Sequence, residues 1–266
     1  MKQRIITGVV AGAGFLALLS AGSYWFAALI LLLALIGFYE FVRMNRIPAA
    51  SWPALIGYAG ILSMTFPIEM FADAHLPSFE WITWMLMFVF FVVTVISKNK
   101  ISIDHIALLF LGIIYIGLGF HFMLYTRLAP PEYGLYWTLL VFVCIWATDS
   151  GAYFAGRAFG KHLLWPSISP KKTIEGALGG TFLSIAAALC FAVARPELLT
   201  VGDAWVLGLV IAVVGQMGDL IQSAYKRVRN IKDTGAILPG HGGVLDRCDS
   251  WLIVFPFIHL LGLIPI

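Results

Sequence analysis

The residues able to do chemistry crowd into one stretch, Gly218 to Ser250, which reads GDLIQSAYKRVRNIKDTGAILPGHGGVLDRCDS. It starts inside an apolar run, where a carboxylate is expensive, and stops where another apolar run begins. Between those ends lie the acids Asp219, Asp233, Asp246 and Asp249 and the bases Lys226, Arg227, Arg229, Lys232 and Arg247. The loop Pro239-Gly240-His241-Gly242-Gly243 adds glycines, whose backbone approaches a ligand closely. Both signs of charge beside such a backbone point to phosphates and metal ions. Asp219, Gln222, Ser223 and Lys226 recur at three and four, so they share one face of a helix. At helical rise Asp219 sits about 10 Å deeper along the axis than Lys226. Asp246 and Asp249, three apart, are compatible with one face at the start of the last apolar run. Asp219, Asp246 and Asp249 together make a nest for Mg²⁺, one ion or two, a hard cation that shares its coordination between carboxylates and substrate phosphates. The alternative is a salt-bridge network in which Arg247 or Lys226 neutralises these acids.

Two more segments carry charge into apolar surroundings. In WATDSGAYFAGRAFGK, Asp149 lies in an apolar run, and Asp149, Tyr153 and Arg157 stand four apart on one face. That face serves the site, or only links Asp149 to Arg157 through Tyr153. In Ser167-Ile168-Ser169-Pro170-Lys171-Lys172-Thr173-Ile174-Glu175-Gly176, Ser169 reads as an N-cap and Pro170 as the first helical residue. A helix beginning there would offer amides and a positive dipole end to an anion, with Lys171 and Lys172 beside it.

The order of residues then narrows the chemistry. Ser223, Lys226-Arg227, Lys232-Asp233, Gly235, Leu238-Pro239, His241-Gly242-Gly243, Asp246-Arg247 and Asp249 resemble the signature of the phosphatidate cytidylyltransferase (CDP-diacylglycerol synthase) family. Ser169-Pro170-Lys171-Lys172-Thr173 with Glu175-Gly176 resembles a second stretch of that family, and Cys248 stands where the family usually has an aliphatic residue. The resemblance implies a nucleotidyltransferase of phospholipid biosynthesis. It would transfer the cytidylyl group of CTP to phosphatidate, giving CDP-diacylglycerol and pyrophosphate, with Mg²⁺ and as a homodimer. It implies Asp219, Lys226, Asp246 and Asp249 as catalytic. Ser223, Arg227, Lys232, Asp233, His241, Gly242, Gly243, Arg247, Lys171, Lys172 and Asp149 are expected to bind substrate. Two rivals remain: another CTP-using lipid enzyme or lipid kinase, and a membrane transporter with Asp149, Asp219 and Lys226 along its pathway. No inverted repeat between the halves supports the transporter. The D-G-x-x-A-R element of alcohol phosphotransferases is absent.

The elements that must hold these residues are membrane helices. The 266 residues are 61% hydrophobic and 12% charged, about half the charge of a soluble domain, with a mean hydropathy of +0.92. Apolar runs long enough to cross a bilayer recur at about 5–22, 24–42, 52–71, 81–97, 104–124, 135–155, 177–195, 204–222 and 251–266. The expected fold is all-α and polytopic, a single membrane domain over 1–266. Residues 1–130 form scaffold helices, and 131–266 carry the site. With nine spans and a cytoplasmic N-terminus, one side receives fifteen of the seventeen Lys and Arg residues, leaving Arg127 and Arg195 opposite. The positive-inside rule therefore puts the site on the cytoplasmic face of the membrane, and the expected location is the cell's inner (plasma) membrane. The N-terminal apolar run reads as an uncleaved first helix rather than a signal peptide.

A net charge of +3 points to no nucleic-acid partner, and Cys144, Cys190 and Cys248 show neither metal spacing nor a disulfide framework. The first half reads as chemically quiet. Gly8, Gly12, Gly14 and Gly22 are candidates for close helix approach, or merely scattered small residues. Trp25, Trp52, Trp81 and Trp84 sit near span ends, as interfacial aromatics do. Glu69 and Asp73 read as interfacial, His75, His105 and His121 as structural. Glu40 reads as interfacial or solvated too, and a helical pair to Arg43 three residues on is weighed against a functional role.

Overall fold

The computed structural model describes residues 2–67, 77–128, 132–237, 240 and 242–265, the side chains of 2–7 excepted. His241, Leu238 and Pro239 of the signature, and Glu69, Asp73 and His75, lie outside the described residues. The helices are α1 (Lys2–Ala21), α2 (Ser23–Met44), α3 (Trp52–Thr65), α4 (Phe79–Ile96), α5 (Ile103–Leu128), α6 (Gly134–Phe159), α7 (Ile174–Ala194), α8 (Val201–Val228), α9 (Leu245–Cys248) and α10 (Trp251–Leu260). A two-stranded antiparallel hairpin, β1 (Leu163–Trp165) and β2 (Ser169–Thr173), joins α6 to α7. Among the described residues six helices, α2 and α4 to α8, are long and apolar enough to cross a membrane. Of the other expected spans, α3 has 14 residues and α10 has 10, shorter than a spanning helix needs. The chain is a helical, polytopic membrane protein with one small hairpin.

It divides into two compact units. The first comprises residues 1–129 together with 233–247, and the second 130–232 with 248–266.

The first unit is built on α2. Phe26, Ile30, Ala34, Phe38 and Phe41 repeat at helical spacing and are fully or almost fully buried. Glycines on the neighbouring helices admit these rings: a Cβ at Gly57 would strike the Phe38 ring, and one at Gly112 would come within 2.6 Å of Phe41. The outward faces carry Leu32, Leu55, Trp84, Phe88 and Val95, all exposed, as a lipid-facing surface requires. Trp25, Trp52 and Trp81 are exposed as well. Arg127, at the end of α5, closes α1: its Nε donates to the Leu19 carbonyl at 3.0 Å and its Nη2 to Ser20 at 3.5 Å. A cation there meets the orphan carbonyls and the negative dipole end. Its guanidinium also lies against Gly22, whose φ of 63° turns the chain from α1 into α2. Gly12 and Gly14 face nothing within 4 Å, so the close approach expected in α1 is not made there.

That approach belongs to the second unit. A Cβ at Gly151 would meet the Gly179 carbonyl oxygen at 2.8 Å, and one at Gly180 the Thr148 carbonyl oxygen at 2.6 Å, so α6 and α7 cross backbone to backbone. Ser184 of α7 donates to the Gly208 carbonyl of α8 at 2.9 Å, tying the third helix in. α10 rests on α8 and α6: Ser250 Oγ donates to the Gly215 carbonyl at 2.9 Å, and Phe142 packs edge-on against Trp251 and Phe255.

One helix start differs from expectation. Ser169 and Pro170 lie in strand β2, and α7 begins at Ile174, where the Thr173 side chain accepts from the Gly176 amide at 3.1 Å. The backbone of Ser169–Thr173 pairs with Leu163–Trp165 instead of coiling. The Ile174 amide completes the turn by donating to the His162 carbonyl at 2.9 Å. The ladder satisfies groups that a helix would have left to its caps.

Candidate functional site

In the second unit the functional side chains gather around the charges at the end of α8. The strand geometry that displaced the helix start decides where the lysines go. Along β2 Lys171 is exposed, whereas Lys172 is half-buried and its Nζ meets Asp219 Oδ2 at 2.6 Å. Ser223, one turn along α8, donates to Asp219 Oδ1 at 3.2 Å. Both oxygens of Asp219 are thus engaged, and Lys172 is the cation of its ion pair.

Asp249 is brought beside this pair by Gly218. A Cβ there would sit 2.7 Å from the Asp249 carbonyl oxygen and 3.0 Å from Ser250 Cα, so only glycine lets the 249–250 turn lie on α8. The Asp249 carboxylate is partly buried and accepts from its neighbour's Ser250 amide at 2.7 Å. Burial first, and then the charge of Asp219, push Asp249 up to about 7. Asp149 adds to the rise, while the Ser250 amide and Lys226 oppose it. Asp149, Asp219 and Asp249 therefore share one electrostatic neighbourhood. Arg157 reaches the Tyr153 hydroxyl at 3.5 Å, the first half of the expected relay. Arg227 Nε donates to the Ile168 carbonyl at 3.2 Å, bracing the hairpin against α8. Lys232, where the first segment of this unit ends, is exposed. Gln222 is buried, 1% exposed.

The first unit contains the other part of the signature, Asp233–Arg247. Asp233 and Arg247 are exposed. Asp246 Oδ2 accepts from the Thr234 amide at 2.8 Å, the Gly243 amide at 3.0 Å and Thr234 Oγ1 at 3.1 Å. Gly242 has a φ of 84° and offers no room for a side chain, since a Cβ would lie 2.7 Å from Asp246 Oδ2. Opposite Asp246 stands Glu40 of α2, 2% exposed. It accepts from the Val244 amide at 2.9 Å, the Leu245 amide at 3.0 Å and Thr234 Oγ1 at 3.0 Å. Glu40 is neither interfacial nor paired with Arg43, which reaches the Tyr39 hydroxyl at 3.2 Å instead. Inward, the helix offers Glu40 five backbone and side-chain donors' worth of loop to share with Asp246, whereas Arg43 faces out. Gly243, expected to make way for a ligand, has a nearer reason, and Gly235 shares it: side chains at either would run into the Glu40 carboxylate.

The acids offer only oxygen donors, the preference of Mg²⁺. The mutual repulsion that raises Asp249 is what a bound cation would relieve. Among the described residues no three acid, histidine or cysteine side chains form a ready metal cluster. A pair of carboxylates completed by substrate oxygens suits Mg²⁺ better than an all-protein cage.

The cytidylyltransferase family matches residues 2–264. The chain belongs to that family. It is 39% identical over 262 residues to a phosphatidate cytidylyltransferase of Bacillus subtilis (strain 168), covering 98% of this chain and 97% of the relative. Similarity to the phosphatidate cytidylyltransferase of Staphylococcus saprophyticus is 37% over 264 residues, 98% of each chain. For that of Staphylococcus aureus (strain COL) it is 38%, again over 264 residues and 98% of each.

Two features of this cytidylyltransferase escaped the sequence. The pairing of Lys172 with Asp219 joins residues 47 positions apart and depends on a strand that a helix reading conceals. Glu40 carried a usable signal, an acid within an apolar run, the same argument that singled out Asp149. Its partner lies about 200 residues away, beyond the reach of spacing.

Proposed function

We infer that the protein transfers the cytidylyl group of CTP to phosphatidate, forming CDP-diacylglycerol and releasing pyrophosphate. Family membership over residues 2–264 carries this reading, and the paired acids and bases of α8 and the hairpin agree with it. A phosphatidate oxygen attacks the α-phosphorus of CTP, the new P–O bond forms, and pyrophosphate leaves. The nucleophile is already an anion, so no strong base and no covalent enzyme intermediate are needed. The barrier is repulsion between two polyanions, and the side chains act on it. Lys226, Arg227 and Lys232 donate to the phosphates and stabilise charge as it shifts to the leaving oxygen. Lys172, held by Asp219, and Lys171 present ammonium groups from the hairpin. Asp219 and Asp249 would hold Mg²⁺, with Asp246, three residues before Asp249 in the chain, adding its charge while its Oδ2 orders the loop. When bound, the ion neutralises charge on attacking and leaving oxygens. Ser223 orients Asp219, and His241, Gly242 and Gly243 shape the loop around the nucleotide.

The topology belongs to the same proposal: nine apolar segments, two of them helical over only 14 and 10 residues in α3 and α10, the N-terminus in the cytoplasm, and the site facing the cytoplasm from the cell's plasma membrane, supported by the fifteen-to-two division of bases. A water-soluble nucleotide then arrives from one side while the lipid enters from the bilayer. A homodimer is proposed on the family resemblance.

The test supplies membranes containing the protein with CTP labelled at the α or γ position, with and without phosphatidate. Phosphatidate-dependent α-label in lipid is the expected result. Label from the γ position in lipid would make the protein a kinase, and no label in lipid from either would overturn the enzyme reading.

A further inference from the structure

We propose that Glu40 is a positioning residue for cytidylyl transfer, the clasp that closes the base of the glycine-rich loop and anchors it to α2. This rests on the reading above and adds to it a residue from the half of the chain that carries no signature motif.

The geometry is that of a two-sided clip. Thr234 and Gly235 form one end of the loop, and Gly243, Val244 and Leu245 form the other. Glu40 holds both ends at once, Oε2 taking the Thr234 hydroxyl and the Leu245 amide, and Oε1 taking the Val244 amide. The glycines at 235 and 243 are the contact surfaces on each side, pressed against the carboxylate. Thr234 links the clip to Asp246, its hydroxyl lying 3.0 Å from Glu40 Oε2 and 3.1 Å from Asp246 Oδ2. A hydroxyl has one proton, so it serves the two acids as a shared donor. Asp246 in turn holds the Thr234 and Gly243 amides. Four loop amides and one hydroxyl are thereby divided between two carboxylates, and neither acid can move without releasing the other's partner.

The chemistry explains why the residue is an acid. Two oxygens, each with more than one acceptor site, take three donors in a buried place where an unmet amide is costly. Glutamine supplies one oxygen only. In either amide orientation its NH₂ faces at least one loop N–H, so a bond becomes a repulsion while volume is kept. Aspartate keeps both oxygens but sits one methylene farther back. Along the chain only Asp233 separates the clip from Lys232, and Asp246 and Arg247 directly follow it, so a loosened base displaces signature residues. Misplacement of about 1 Å in a catalytic constellation costs on the order of 10²-fold in rate.

The test uses the full-length protein in detergent micelles, comparing wild type with Glu40→Gln, Glu40→Asp and Thr234→Val. Measured are kcat, KM for CTP and for phosphatidate, the melting temperature, and the rate of tryptic cleavage after Lys232 and Arg247, read by mass spectrometry. Glu40→Gln is expected to lower kcat on the order of 10²-fold, with KM for phosphatidate within a few-fold, and to speed cleavage about tenfold or more. Glu40→Asp should recover part of both losses, and Thr234→Val should add little to Glu40→Gln because they break one clip. Should Glu40→Gln fail to fold, Glu40→Asp and Thr234→Val decide, with intermediate kcat and cleavage expected. Unchanged kcat with unchanged cleavage would overturn the proposal. So would a lowered melting temperature with normal kcat per folded molecule, because that is a merely structural role. The cleavage rates stand even if wild-type protein forms no labelled lipid, so failure of the clasp and failure of the cytidylyl-transfer reading are told apart.

Discussion

Replacing Asp219 with Asn separates an ion pair that holds the hairpin from a carboxylate that serves the reaction. The Lys172–Asp219 pair is short, 2.6 Å, but its side chains are 27% and 36% exposed. Pairs that wet contribute about 0.2–1 kcal/mol. Asn also removes one of the charges that raise Asp249, which works in the opposite direction. The net change in stability should thus stay below about 1 kcal/mol, and the melting temperature should move by no more than about 2–4 °C. Asn keeps the shape and can still accept from Ser223, so the local fold has little reason to rearrange. The reaction is affected differently. A lost charge at a phosphate-transfer site costs on the order of 10²–10³ in turnover, and whatever activity remains should demand far more Mg²⁺. The assay is a Mg²⁺ titration of cytidylyl transfer in micelles, run beside a melting curve for each protein. A stable Asp219→Asn protein with normal turnover and an unchanged Mg²⁺ midpoint would refute the assignment. A large fall in melting temperature would refute the estimate of the pair's weakness.

Three other outcomes are expected. Asp249 has a folded-state pKa of about 7, above its ordinary 3.8. The folded form therefore holds this proton more tightly between those values, and the stability it contributes is lost as pH rises through about 7. Melting temperature should fall, and activity that needs the charged form should rise, over the same interval; Asp249→Asn should remove that component from both profiles, and an unaltered pH profile would count against it. Lys226→Met or Lys232→Met should each lower turnover on the order of 10²-fold, the scale of a lost transition-state donor, and a double variant with near-normal activity would leave these lysines only a topological role. Single cysteines at Ala236 and Pro77, placed in a background lacking Cys144, Cys190 and Cys248, should label from opposite sides of an intact membrane; labelling from one side would overturn the proposed orientation.

Much of this protein could be read directly from its residues. Apolar runs of bilayer length announce helices because hydrocarbon leaves the backbone no other partner for its hydrogen bonds. The signature from Ser223 to Asp249 announces the family because charge and glycine are rare in such a chain and their order is specific. Asp219, Ser223 and Lys226 could be placed on one face because helical spacing is a local rule. What spacing could not supply was the contact between distant segments. The alternative of a salt bridge to Asp219 was legible, but its partner was not. Ser169 and Pro170 are good helix starters, and a hairpin with Leu163–Trp165 overrode them, turning Lys172 toward α8. Glu40 was legible as an unusual acid and misread as interfacial. Its meaning depends on amides from Val244 and Leu245, and a backbone amide has no sequence signature. Gly243 likewise read as freedom for a ligand, while the tertiary structure shows it, with Gly218 and Gly235, as the room required by the Asp249 turn and the Glu40 carboxylate. Local chemistry is written residue by residue, but which buried donor meets which acid is decided only when the chain closes on itself.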